Sequence, residues 1–106
     1  MNDLFLVYCT FPTVESARQI GTVLVETQLA ACVNLCRQVE SIYRWQGKLE
    51  SSAEVLAIFK TTEAVWPKLA ERLAALHPYE TPEIVAQRAA AVHGPYGEWV
   101  VGSVVS

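Results

Sequence analysis

The residues of this chain best equipped for chemistry are Cys9, at the end of the apolar run LFLVYCT, and His77 and Glu83, which bracket the stiff stretch HPYETPE. A thiolate beside an imidazole is a soft donor pair suited to copper or zinc. The same two side chains also serve as nucleophile and base in covalent catalysis. A third reading makes Cys9 a small core hydrophobe and His77 a polar helix end. An enzyme would further need a group orienting the imidazole and an oxyanion hole, and neither has a sequence signature here. There is no Gly-rich phosphate loop, Cys-x-x-Cys pair or nucleophile elbow in the sequence. Cys32 and Cys36, four apart on a predicted strand, stand ~13 Å from each other, beyond disulfide reach, and read as structural. His93, in VHGPYG, reads as a solvated loop residue.

The elements that must position these side chains follow from periodicity and punctuation. Residues 4–10 form a continuous apolar run rich in strand formers, hence a strand buried on both faces. Thr13 is placed to cap a helix that carries Ala17, Ile20, Gly21 and Leu24 at helical spacing and runs to about Gln28. A long strand over 30–45 follows, with Ala31, Val33, Leu35, Val39, Tyr43 and Trp45 of one parity and so on one face. QGK turns the chain, and 49–61 returns. Thr62 is expected to cap a second helix whose stripe is Val65, Leu69, Leu73 and Leu76, with Pro67 in its first turn. Pro78 ends that helix around His77. A last strand, EIVAQRAAAV, and a short helix opening at Pro95 close the chain.

The order β-α-β-β-α-β with a terminal helix predicts an α+β, ferredoxin-like fold: an antiparallel sheet with two helices on one face and a long hairpin arm, in a single domain over 1–106. Strand one runs toward the edge where the second helix ends and the last strand begins. Chain order alone therefore brings Cys9, His77 and Glu83 to one edge. Lys60 falls at the opposite edge and would join them only across a subunit interface.

Apolar residues make up 52% of the chain and charged ones 18%, with a net charge of -3. So apolar a small domain is expected to cover part of its surface by self-association. The absence of a basic run argues against nucleic acid as a partner. No apolar run approaches the ~20 residues of a membrane span. The opening MNDLF lacks the positive start of a secretory leader, and three cysteines, an odd number, suit a reducing compartment. The expectation is a cytoplasmic protein. Strands well beyond the five or six residues typical of globular sheets imply an arm that overhangs its own sheet and lies against a neighbour.

The blocks AACVN, SIYRWQGK and HPYETPE, with VYCTFP at the start and PYGEW near the end, resemble the CutA divalent-cation tolerance family over nearly the whole chain. The resemblance implies a tight homotrimer whose sheets pack together while the arms embrace neighbours. It also implies an association with copper and other divalent cations; the leading expectation is a tolerance protein with no catalysis of its own. The family's metal site maps onto Cys9 and His77; its other histidine position is Leu76 here, which leaves Glu83 as the further ligand available within one subunit. An alternative is a ligand-sensing or adaptor trimer, binding in inter-subunit clefts lined by Trp45, Tyr79, Glu83 and Lys60.

Overall fold

The computed structural model describes residues 3–105; Met1, Asn2 and Ser106, the ends of the expected domain, lie outside the described residues. Seven elements follow in order: β1 (Leu4–Phe11), α1 (Val14–Glu26), β2 (Cys32–Trp45), β3 (Lys48–Thr62), α2 (Trp66–Leu76), β4 (Ile84–Arg88) and α3 (Gly94–Ser103). The strands form one antiparallel sheet in the order β2-β3-β1-β4. This is the expected α+β, ferredoxin-like arrangement.

Helix α1 starts where Thr13 Oγ1 accepts from Ser16 N at 3.1 Å, satisfying one of the donors a helix start leaves free. It stops at Glu26, just before Gln28 adopts a left-handed backbone. Its buried face, Ala17, Ile20, Gly21 and Leu24, lies close on the sheet: a Cβ on Gly21 would meet Val33 Cγ1 at 3.1 Å. The main core fills the space between helices and sheet with Val7, Cys9, Phe11, Val55, Ala57, Phe59, Leu69 and Leu73. Burying so many apolar side chains in one layer is the main force holding the subunit together.

Helix α2 begins later than its sequence signals indicate. Thr62 stays in β3, paired with Leu4, so Val65 takes the cap position without a side-chain cap bond, and Pro67 falls in the first turn. Thr62 Oγ1 is left buried with no partner among the described residues. The helix ends as expected, because His77 turns extended (ψ 140°) ahead of Pro78.

The hairpin joins 14- and 15-residue strands through Gln46 and Gly47, both at positive φ, the two-residue turn that suits strand twist. One expectation about it fails. A bulge between Cys36 and Val39 adds one residue to β2, with Gln38 at φ 63°. Val33 and Leu35 pair with Phe59 and Ala57 and face the helices, whereas Val39, Tyr43 and Trp45 pair with Glu54, Glu50 and Lys48. The first pair's partners are odd-numbered on β3 and the trio's even-numbered, so Val39, Tyr43 and Trp45 emerge on the opposite face from Val33 and Leu35.

Strand β4 is also shorter than predicted. It pairs with β1 only up to Phe5↔Arg88, and after Ala89 N donates to Leu4 O there is no more of β1 to pair with. Helix α3 forms its 10 residues despite three glycines and covers one end of the sheet face that α1 and α2 leave open. Its anchor is Val100, fully buried with Leu4, Ala31, Val65 and Val104, while Trp99 stays 49% exposed. Further along that face, Tyr8, Leu56, Ile58 and Val85 are only partly buried or exposed within one subunit.

Candidate functional site

The structure brings Cys9, His77 and Glu83 to one end of the sheet. Cys9 lies on the central strand between Ala57 of β3 and Ile84 of β4, and no part of it reaches solvent. Glu83 immediately precedes Ile84 and is exposed. His77, at the end of α2, is 7% exposed, stacked on the Phe11 ring at 4.7 Å and tilted against Tyr79 at 4.8 Å.

The hydrogen bonds identify the state of the imidazole. His77 Nε2 lies 2.8 Å from the Thr10 carbonyl oxygen, which can only accept. Its Nδ1 lies 3.0 Å from the Tyr79 backbone N–H, which can only donate. The network assigns the neutral tautomer with the proton on Nε2 and the Nδ1 lone pair occupied. Burial opposes the charged form and holds the imidazole pKa below its ordinary value, against smaller upward pulls from Thr10 and Glu54.

The thiol is equally committed. Cys9 Sγ donates a long bond, 3.8 Å, to the same Thr10 oxygen. Burial pushes its pKa up to about 12, helped by the negative charges of Glu83 and Glu54. A nucleophile or soft-metal ligand must be a thiolate, and this site favours the thiol.

The turn after α2 is tied down from a second side. Tyr79 OH donates to Glu54 Oε2 at 2.7 Å; burial, and then this bond, raise the phenol's pKa. Glu54 sits at the root of the hairpin arm, paired with Val39. HPYETPE is therefore stiff because three elements meet on it: the end of β1 through His77, the base of the arm through Tyr79, and β4 through Ile84. The sequence brings His77 toward this edge but assigns Tyr79 to a cleft between subunits, and it does not reveal Thr10 or Glu54, the two acceptors. A backbone carbonyl has no sequence signature, and Glu54 in a strand looks like any surface carboxylate.

Trp45, Tyr79 and Lys60 do not meet within one subunit. Trp45 pairs with Lys48 near the arm tip, and Lys60 pairs with Cys32 and Leu6 at the far end; each is six residues along β3 from Glu54, about 20 Å at the strand rise. Lys60 Nζ donates to Asn34 Oδ1. The three cysteines are free, and Cys32 Sγ shares a hydrogen bond with Tyr96 OH at 3.5 Å. His93 is exposed at the start of α3.

A resident cation does not fit this edge as it is built. Both imidazole nitrogens are occupied, the thiol is protonated and buried, and no group of three or more His, Cys, Asp and Glu side chains among the described residues could hold a metal ion. No helix among them is long and apolar enough to cross a membrane.

Fold and sequence together define the class. Residues 5–103 match the family model described as CutA1 divalent ion tolerance protein. The chain is 48% identical over 100 residues to the divalent-cation tolerance protein CutA of Thermus thermophilus, covering 94% of this chain and 95% of that one. It is 41% identical to human protein CutA over 93 residues, 88% of this chain but 52% of the human protein, so it spans about half the length of that relative. Among solved structures, the periplasmic divalent cation tolerance protein CutA from Archaeoglobus fulgidus superposes with a TM-score of 0.93 at 31% identity, over 96% of this chain and 99% of that one. This chain belongs to the CutA divalent-cation tolerance family.

Proposed function

We propose that the protein works as a non-catalytic homotrimer in divalent-cation tolerance, acting in the cytoplasm and meeting copper or another divalent cation as its cargo. The observation that carries the assembly is the arm. Ile42, Trp45 and Leu49 are 68%, 56% and 77% exposed in the single subunit, and Tyr43 is 43% exposed. They lie on both faces of a two-stranded ribbon that would be marginal alone in water. Large apolar groups so placed mark an interaction surface, and the partly covered sheet face around Tyr8, Ile58 and Val85 is another.

The absence of catalysis rests on chemistry. A thiol held well above its ordinary pKa beside an imidazole with no free nitrogen has neither a nucleophile nor a base to offer at neutral pH. Copper suits a chain whose Cys32 and Cys36 thiols are free and not fully buried, because soft ligands favour it over Mg²⁺ or Ca²⁺. The exposure of Trp45 also favours the adaptor reading, in which an organic ligand sits between copies near Trp45, Tyr79 and a neighbour's Lys60.

Light scattering at micromolar chain concentration tests the assembly: three chains per particle are expected, and a folded monomer or dimer refutes it. Retention of Cu⁺ or Zn²⁺ after gel filtration tests cation contact, and a particle that retains neither refutes that half.

A further inference from the structure

We propose that in this chain the Cys9–His77 edge is not a divalent-cation centre but a two-donor clasp on the Thr10 carbonyl, locking the end of β1 to the turn after α2. The inference deepens the proposed function and rests on it only for the choice of metals to test.

The need for a clasp comes from the sheet. On the edge of β1 that faces β4, the Leu4 carbonyl accepts from Ala89 N, and carbonyls at every second residue along a strand point the same way. Thr10 O therefore faces β4 as well. But the β1–β4 ladder stops at Cys9↔Ile84, one residue short of it. Thr10 is buried, and a buried carbonyl without a donor costs about 1–3 kcal/mol. His77 Nε2–H fills the vacancy at 2.8 Å, and Cys9 Sγ–H adds a weaker approach to the same oxygen. Both side chains thus present hydrogens, not lone pairs, to the space between them.

The second nitrogen completes the device. The Tyr79 N–H, freed where α2 has ended, is satisfied by His77 Nδ1 at 3.0 Å. One imidazole pairs an orphaned strand acceptor with an orphaned loop donor, a job that needs a neutral ring with one N–H and one lone pair. Phe11 and Tyr79 enclose it. For a cation to bind there, the ring would have to give up one of these bonds, leaving a buried backbone group unpaired, and Cys9 would have to lose its proton inside the core. Leu76, the last residue of α2, adds no donor, and Glu83 is exposed on the strand's approach.

The test uses the full-length assembled protein with ¹⁵N-labelled histidine. Ring-nitrogen spectra are recorded before and after one equivalent per chain of Zn²⁺ or, anaerobically, Cu⁺. Metal retained per chain is then measured for wild type, His77→Gln and His77→Ala. The expected spectrum shows His77 as the neutral Nε2–H tautomer, unchanged by either metal. Retained metal is expected to be the same in all three proteins. Gln, which has an amide donor and acceptor, should unfold at higher temperature than Ala. Loss of the Nε2–H signal on adding metal, or metal affinity lowered about tenfold or more by His77→Gln, overturns the proposal. Should the Ala variant not fold, the wild-type spectrum and the Gln variant still decide. If wild type retains no metal at all, the clasp stands and the cation contact of the proposed function falls.

Discussion

Replacing Val100 with Ala removes two methyl groups from the contact that holds α3 on the sheet, where Val100 is fully buried against Leu4, Ala31, Val65 and Val104. At about 0.8 kcal/mol per buried carbon group, the transfer loss is about 1.6 kcal/mol. A residual void of ~40 Å³ at ~24 cal/mol per Å³ adds about 1 kcal/mol, and the better helix propensity of Ala returns about 0.5 kcal/mol. The net is about 2 kcal/mol, all of it on the opening of one terminal helix. Amide hydrogen exchange over 97–103 should therefore accelerate about thirty-fold, because tenfold corresponds to about 1.4 kcal/mol. Trp99→Ala is the control. Its ring is half exposed and tilted against Tyr96 at 5.7 Å, a pair worth about 0.5–1.5 kcal/mol. Its acceleration should stay under about tenfold. Exchange is compared at a chain concentration where light scattering reports the same assembly for all three proteins, so that dissociation is not read as undocking. If Trp99→Ala opens the helix as much as Val100→Ala, Val100 is not the anchor.

Three further outcomes are expected. Trp45→Ala should weaken assembly by about 2 kcal/mol or more per interface, as buried aromatic anchors do, while leaving the far-UV spectrum unchanged; sedimentation across a dilution series reads it, and an unaltered series refutes the anchor role. His77 contributes a pH dependence of definite sign: burial lowers its folded pKa below the ordinary 6.5, so the unfolded chain takes up the proton first. Its stability term is complete above pH 6.5 and is lost as pH falls through the window beneath it. Urea unfolding at fixed chain concentration should show that loss in wild type, and a smaller one in His77→Gln. Gly47→Val places a β-branched residue at φ 79°, at a cost of about 1–3 kcal/mol; with no heavy atom within 4 Å of the added Cβ, the loss in urea midpoint comes from the backbone alone, and an unchanged midpoint refutes it.

The element order was legible from the residues because each signal is local. Thr13 caps α1, Pro78 stops α2, Gln46-Gly47 turns the hairpin, and apolar periods of two and 3.6 separate strands from helices. That order is enough to bring Cys9, His77 and Glu83 to one end of the sheet. What those residues do there was not legible. Whether an imidazole offers a lone pair depends on two backbone groups, Thr10 O and Tyr79 N–H, that carry no side-chain identity. The two faces of the arm were misread for a related reason. Strand parity is a counting rule, and a single extra residue at Gln38, stabilised by pairing on both sides of it, reverses every side chain that follows. Nor does periodicity choose between Val100 and Trp99. Both lie on α3, and only the position of Leu4 and Ala31 beneath the helix decides which one is buried. The elements follow from contacts between near neighbours, and their order along the chain is enough to crowd one edge. The clasp on Thr10, the reversed arm and the helix anchor were decided by the tertiary structure, because each depends on groups brought together from distant parts of the chain.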